Sequence, residues 1–143
     1  MLNLPEYNKK LEKLTYIDLF AGIGGFRLAL DSFGARCVFT SEWDKHAQEV
    51  YKNNFGDLPH GDITQIDEKD IPSHNLLCGG FPCQPFSMAG KRKGSEDERY
   101  LWHEMLRAIQ EIKPKYVIAE NVFGITNIDG GLVFEQVCLD LEV

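Results

Sequence analysis

The sequence predicts an α/β protein: a Rossmann-like three-layer sandwich with a mostly parallel sheet, built as a single domain. Short apolar segments typical of strands alternate with segments of helical periodicity, which implies right-handed βαβ crossovers. A glycine-rich turn at 22–25 joins the first strand to the first helix, as in folds that bind nucleotides. The chain has 143 residues, 43% hydrophobic and 26% charged, as expected for one globular domain.

The first half of the chain contains two strands, each followed by a helix. Residues 14–20 are typical of a strand, and the apolar residues within 26–33 then follow the spacing of one helix face. Gly34 ends that helix, and 36–41 form the second strand. Asp44 is placed to cap the second helix.

The second half predicts three further strands and two helices. A short third strand is expected just before Asp62, and residues 76–78 form the fourth. A helix with apolar positions over 102–112 follows, and then a fifth strand at Tyr116–Ala119. A weaker helix begins at about Leu132. We expect the strand order 3-2-1-4-5.

Charge and composition limit the function classes. The net charge of −7 argues against a nucleic-acid binder with the usual basic face, although three basic residues cluster at 91–93. No apolar run approaches the roughly 20 residues of a membrane span, and residues 1–13 do not resemble a secretion signal, so we expect a cytoplasmic protein. The four cysteines form no C-x-x-C pair, and His103-Glu104 lacks the second histidine of a zinc helix because Arg107 stands there; we predict no metal site.

The segment 79–87 places a cysteine where α/β sheets carry their chemistry. Cys83 lies between Pro82 and Pro85, just after the fourth predicted strand. Both prolines resist helix and push the preceding residue toward an extended shape, so Cys83 lies on a stiff loop at the end of a strand. A cysteine there is a candidate nucleophile rather than core filling.

The turn at 18–26 predicts a nucleotide-like cofactor site. Gly22 and Gly24 let the backbone approach a ligand closely, and Glu42 follows Gly22 by twenty residues, the spacing of an acid that binds ribose hydroxyls. Trp43 either packs on an adenine or is a core or helix-staple tryptophan, and Asp62 either accepts from an adenine amino group or shapes a turn. The turn has the pattern G-x-G-G, which departs from the G-x-G-x-x-G of nicotinamide-dependent dehydrogenases. A dehydrogenase of that kind is therefore kept as the alternative and not as the first choice.

Glu120 ends the fifth predicted strand and should emerge at the same sheet edge as Cys83. A carboxyl group that is partly desolvated there has a raised pKa and can serve as an acid. The alternative is a glutamate that caps the following loop. The combination with Cys83 and the glycine turn favours a catalytic role.

Three ordered motifs together resemble the bacterial DNA cytosine-5 methyltransferases of restriction–modification systems. The segment 18–26 is similar to their cofactor motif, 80–87 to their nucleophile motif, and 120–122 to their third signature. The resemblance covers nearly all of the chain from Thr15 onward. It implies S-adenosyl-L-methionine as cofactor and double-stranded DNA as partner. Residues that match family positions around the cofactor are Phe20, Gly22, Ile23, Gly24, Glu42, Trp43, Asp62, Ile63, Gly80, Pro82 and Leu101.

The resemblance also implies a mechanism. Cys83 would add to C6 of a cytosine flipped out of the duplex, and Glu120 would hydrogen-bond the ring at N3, so that C5 accepts the methyl group. Loss of the C5 proton and of Cys83 would give 5-methylcytosine. Residues expected to contact DNA are Gln84, Ser87, Lys91, Arg92 and Lys93.

The family carries further elements beyond those matched here, including a target-recognition domain. We therefore expect residues 1–143 to be the N-terminal part of the catalytic domain, inactive or nearly so alone, with self-association through the exposed edge of the fifth strand. A non-enzymatic module that needs a second chain, and a tRNA methylase of the same family, remain as alternatives.

Overall fold

The computed structural model of the protein describes residues 10–82 and 94–142, with side chains from 101 onward in the second segment. Within this part of the chain, four parallel strands form one sheet: β1 (Thr15–Leu19), β2 (Arg36–Thr40), β3 (Leu76–Gly79) and β4 (Tyr116–Ala119). Their order is β2-β1-β3-β4. The α/β class and the parallel sheet are thus confirmed.

The strand predicted before Asp62 is reduced to a single parallel bridge between Ser41 and His60. His60 N donates to Thr40 O, and His60 O accepts from Glu42 N, both at 2.9 Å. Pro59 has no N–H to donate, and a 3₁₀ helix begins at Ile63, so the ladder cannot extend on either side. The predicted order 3-2-1-4-5 is therefore wrong in this detail: its outermost member is one bridge on β2, and the other strands keep their places.

Four α-helices lie in the described segments: α1 (Gly25–Ser32), α2 (Lys45–Phe55), α3 (Gly94–Ile112) and α4 (Leu132–Leu141). Asp44 caps α2 as predicted, because its Oδ1 accepts from Ala47 N at 2.8 Å. None of the helices in the described residues is long and apolar enough to cross a membrane.

Two apolar clusters cover the two faces of the sheet. Ile17, Leu19 and Leu77 pack with Trp102 and Met105 of α3 on one face, joined by residues of α4. Tyr16, Leu76 and Cys78 pack with Leu30 of α1 on the other face. The alternation along β1 and β3 sends successive side chains to opposite clusters, which produces the three layers. Burial of each large apolar side chain contributes about 1.5–3 kcal/mol.

Candidate cofactor and catalytic site

The carboxyl ends of β1, β3 and β4 open at one edge of the sheet. Leu19 pairs with Gly79, and Gly79 pairs with Ala119, so the next residues along each strand emerge side by side. These are Phe20, Gly80 and Glu120, and all three line one cleft of about 420 Å³. The remaining lining residues come from the turn after β1 and from α1: Ala21, Gly25, Phe26 and Ala29.

The turn between β1 and α1 has a backbone that glycine favours. Phe20, Gly22 and Gly24 have φ of 55°, 57° and 97°. A Cβ on Gly24 would lie 2.1 Å from the ring of Phe55 on α2. The glycine there is therefore required both by the left-handed backbone and by the close approach of α2.

Glu42 fixes this turn from the neighbouring strand. Its Oε2 accepts from Gly22 N at 2.7 Å, and its Oε1 accepts from Asp44 N at 2.9 Å. Each carboxylate oxygen can accept a further hydrogen bond, so the group can still receive hydroxyl donors from a ligand. Trp43 is 51% exposed, so the alternative of a core tryptophan is wrong. Ile23, in the turn itself, is also exposed.

Asp62 shapes a turn, which was one of its two interpretations. Its Oδ1 accepts from Thr64 N at 2.9 Å and caps the 3₁₀ helix Ile63–Gln65. Ile63 is buried in the core. The bridge at His60 holds this segment beside Glu42, since Glu42 N donates to His60 O. Among the described residues, Oδ2 of Asp62 accepts no hydrogen bond, so it is available for a ligand.

The predicted nucleophile, Cys83, lies outside the described residues, and so do Gln84, Ser87, Lys91, Arg92 and Lys93. The approach to Cys83 is described as far as Pro82. Phe81 is buried and its ring centroid lies 5.2 Å from that of Trp102. Asn121 Nδ2 donates to Phe81 O at 2.9 Å, and Asn121 Oδ1 accepts from Val122 N at 2.8 Å. The end of β4 therefore holds the backbone two residues before Cys83.

Glu120 lies over Gly80. Its backbone N donates to Gly79 O at 2.9 Å, and a Cβ on Gly80 would lie 2.9 Å from Glu120 Oε2. Within the described part of the chain, the Glu120 carboxylate accepts no hydrogen bond, so the structure does not show it capping the loop that follows. Glu120 is exposed and lines the cleft, so the structure does not show the partial desolvation expected for it from the sequence. Leu101 is buried in α3 and is not among the cleft-lining residues, so its contact with a cofactor stays a prediction.

Sequence reasoning missed Asp18 and Asn121 as site residues. Asp18 is fully buried in β1 under the glycine turn, and neither carboxylate oxygen has a hydrogen-bond partner among the described residues. Burial first, and then the charge of Glu42, raise the pKa of Asp18 to about 7. The sequence feature that could have identified Asp18 is its charge between two apolar residues, Ile17 and Leu19, in a predicted strand.

Comparisons with known proteins agree on one family. The family model of C-5 cytosine-specific DNA methylases matches residues 14–143. The type II methyltransferase M.HhaI of Haemophilus parahaemolyticus is 56% identical over 131 residues, which are 91% of this chain and 40% of that protein. The type II methyltransferase M.BsuFI of Bacillus subtilis is 48% identical over 141 residues, 98% of this chain and 34% of that protein.

A solved methyltransferase structure has a similar fold. The crystal structure of the Dnmt2 methyltransferase of S. pombe superposes with a TM-score of 0.71 at 28% identity, over 90% of this chain and 41% of that one. The chain thus spans 34–41% of the length of these three relatives.

Proposed function

Because the chain belongs to the C-5 cytosine-specific DNA methylase family, we propose that it carries the cofactor and catalytic residues of an enzyme that methylates cytosine at C5 in double-stranded DNA. The observation that supports this proposal most is that Phe20, Gly80 and Glu120 line one cleft. Gly80 lies only three residues before Cys83, so the cleft is close in sequence to the proposed nucleophile. The type II relatives favour a place in a restriction–modification system. A DNA substrate also favours the cytoplasm, the compartment expected from the sequence.

S-adenosyl-L-methionine fits the residues around the glycine turn. Glu42 would accept from the ribose hydroxyls, and the exposed ring of Trp43 would pack on the adenine beside Ile23. Asp62 Oδ2 would accept from the adenine amino group. Phe20 and Gly80, which line the cleft, would lie beside the methionine end. Gly22, Gly24, Ile63, Pro82 and Leu101 are further proposed contacts of the cofactor. The cofactor supplies an electrophilic methyl group bound to a sulfonium.

Cys83 and Glu120 perform the steps on the base. The Cys83 thiolate forms a bond to C6 while Glu120, as an acid, hydrogen-bonds N3 and stabilises the negative charge that develops on the ring. C5 would then take the methyl group, whose bond to sulfur breaks so that S-adenosylhomocysteine leaves. Solvent water would accept the C5 proton, and the electrons of the C5–H bond would restore the C5–C6 double bond and expel the Cys83 thiolate. The base must be flipped out of the helix first, because its ring atoms are inaccessible in the stack.

The residues after Cys83 are proposed DNA contacts. Gln84 and Ser87 follow the nucleophile, and Lys91, Arg92 and Lys93 concentrate positive charge in a chain of net charge −7. Three adjacent basic side chains can neutralise phosphates near the flipped base.

A chimera tests the function. The matched 131-residue segment of M.HhaI is replaced by the corresponding segment of this chain, and transfer of a radiolabelled methyl group to duplex DNA is measured. We expect transfer to cytosine by the chimera, and a loss of at least about 10²-fold with Cys83→Ala or Glu120→Gln. A transfer RNA serves as the competing substrate. Full activity of the Cys83→Ala chimera, or labelling of the RNA alone, would refute the proposal.

We also infer self-association of this chain through β4. This strand is at the edge of the described sheet, and Tyr116 and Ile118 on it are 52% and 44% exposed. An exposed strand edge beside an apolar face favours pairing with another chain.

The substitution Ile118→Lys tests this inference. It should lower the light-scattering mass of concentrated solutions, whereas Val50→Lys, at an exposed apolar site on α2, should leave that mass unchanged. A wild-type chain that stays monomeric at high concentration would contradict the inference.

A further inference from the structure

Arg107 of α3 uses every N–H of its guanidinium on one segment and two carboxylates. Nη1 donates to Ile66 O at 3.0 Å and to Glu68, and Nη2 donates to Ile63 O at 3.0 Å. Nε and Nη2 also donate to Glu104 Oε2, at 3.0 and 2.5 Å. A guanidinium has five N–H groups, and these five contacts account for all of them.

The two carbonyl contacts distinguish this cluster from an ordinary ion pair. A partly exposed pair between side chains contributes little to stability. Here, however, Arg107 holds the backbone at both ends of the 3₁₀ helix Ile63–Gln65, across a sequence distance of about forty residues. Asp62 caps the start of that helix, and its Oδ1 accepts a hydrogen bond from Thr64 N. The position of the helix therefore sets the position of the Asp62 carboxylate.

The segment is held from two sides. The bridge at His60 ties it to β2 and Glu42, and Arg107 ties it to α3. Gly61 lies between the two attachments, and a Cβ added there would meet no described atom within 4 Å, so this position does not fix the segment by side-chain packing. Without Arg107 the segment would keep its attachment at His60 and the packing of Ile63 and Ile66, but it would lose its hydrogen bonds to α3.

We propose that Arg107 is a positioning residue of the cofactor site: it fixes the Asp62 carboxylate and thereby gives the site its preference for adenine over other purines. The proposal rests on the proposed function, in which Asp62 accepts from the adenine amino group. Arg107 does not contact the cofactor; it acts through the backbone carbonyls of Ile63 and Ile66.

Lysine keeps the charge of Arg107 but not its geometry. One ammonium has three N–H groups on a single nitrogen, so it cannot reach both carbonyls and both carboxylates at once. Arg107→Lys should therefore loosen the 62–66 segment without leaving an unpaired carboxylate cluster. It is a milder change than alanine and is expected to fold.

The experiment measures base preference. Titration calorimetry gives the Kd of S-adenosylhomocysteine and of its hypoxanthine analogue, in which a carbonyl replaces the amino group, for wild type, Arg107→Lys, Asp62→Asn and the double variant. We expect wild type to prefer adenine by about tenfold or more. Arg107→Lys should lose most of this preference, and the double variant should bind like Asp62→Asn alone.

Arg27→Lys is the matched control. Arg27 is also a well-paired arginine, with Nε 3.1 Å from Asp31 Oδ2 and Nη2 2.7 Å from Asp57 Oδ2, but it makes no hydrogen bond to the 62–66 segment. Its substitution can lower the thermal midpoint but should leave the adenine preference at the wild-type value. A general loss of stability therefore cannot imitate the expected result.

Two results would overturn the proposal. One is an unchanged adenine preference in Arg107→Lys. The other is a double variant whose loss of adenine preference equals the product of the losses in Arg107→Lys and Asp62→Asn, because the two residues would then act independently. Failure of the proposed function shows separately, as a wild-type chain that binds neither compound. Amide hydrogen exchange at Thr64 and Ile66 in the ligand-free chain then still decides the structural step. Faster exchange in Arg107→Lys than in Arg27→Lys supports it, and equal exchange refutes it.

Discussion

At the scale of single residues, Asp18 is the most unusual group in the described structure. It is a carboxyl group in the central strand, fully buried, with no hydrogen-bond partner among the described residues. Burial, and then the charge of Glu42, raise its pKa from 3.8 to about 7. The folded protein therefore holds this proton more tightly than the unfolded chain does. At a pH where the Asp18 carboxyl group is ionised in the folded protein, its burial lowers the free energy of unfolding.

The sign of this effect predicts a pH dependence. Between about pH 4 and pH 7 the folded state binds more protons at Asp18 than the unfolded state, so the free energy of unfolding should fall as the pH rises, by up to about 1.4 kcal/mol per pH unit. Asp18→Asn should remove this slope, which urea denaturation at pH 5 and pH 8 would show. Asp70→Asn, at an exposed carboxylate, should keep the wild-type slope. Parallel curves for Asp18→Asn and wild type would contradict the prediction.

Gly80 gives a second prediction at this scale. Its φ is not positive, so alanine is compatible with the backbone, but the added Cβ would lie 2.9 Å from Glu120 Oε2. In the chimera, Gly80→Ala should move the Glu120 carboxylate and lower the rate of methyl transfer by about tenfold or more, with little change in thermal midpoint. Gly61→Ala, where a Cβ meets nothing within 4 Å, is the matched control and should leave the rate unchanged. Equal rates in the two variants would refute the assigned contact.

At the scale of elements, the glycine turn is where the sequence is most informative. A strand, a turn with glycine at 22 and 24, and an acid twenty residues later are each visible in the sequence, and the structure joins them through the bond from Gly22 N to Glu42. The prediction of a third strand was wrong because only His60 of this segment pairs with the chain after β2. Local composition suggested a strand there, but Pro59, which has no N–H, on one side and the 3₁₀ helix from Ile63 on the other limit the pairing to one bridge.

The two neighbouring glycines of this turn should respond differently to alanine. Gly24→Ala combines a φ of 97° with a Cβ 2.1 Å from Phe55, and should lower the free energy of unfolding by at least about 2 kcal/mol. Gly25→Ala meets no neighbour at the start of α1 and should change it by about 1 kcal/mol or less. Urea denaturation of both variants measures the difference, and equal losses would contradict the assigned packing of α2.

At the scale of the whole molecule, the site is made where three parallel strands end together. The sequence could predict which residues leave those strands, because strand ends and motifs are local features. It could not predict that Asn121 would hold the backbone at Phe81, or that Arg107 would hold Ile63 and Ile66, because these contacts join residues about forty positions apart. Asp18 was visible as a charge in an apolar strand, but its missing partners are a property of the packed interior.

The proposed function depends above all on a covalent bond between Cys83 and the target base. The most direct measurement uses duplex DNA in which 5-fluorocytosine replaces the target cytosine, incubated with the chimera and S-adenosyl-L-methionine. Because fluorine cannot leave C5 as the proton does, Cys83 cannot be expelled after methyl transfer. We expect a complex that survives denaturation, in which mass spectrometry places the nucleotide on Cys83. Methylation of ordinary DNA, with no adduct on Cys83 in the fluorinated duplex, would contradict it.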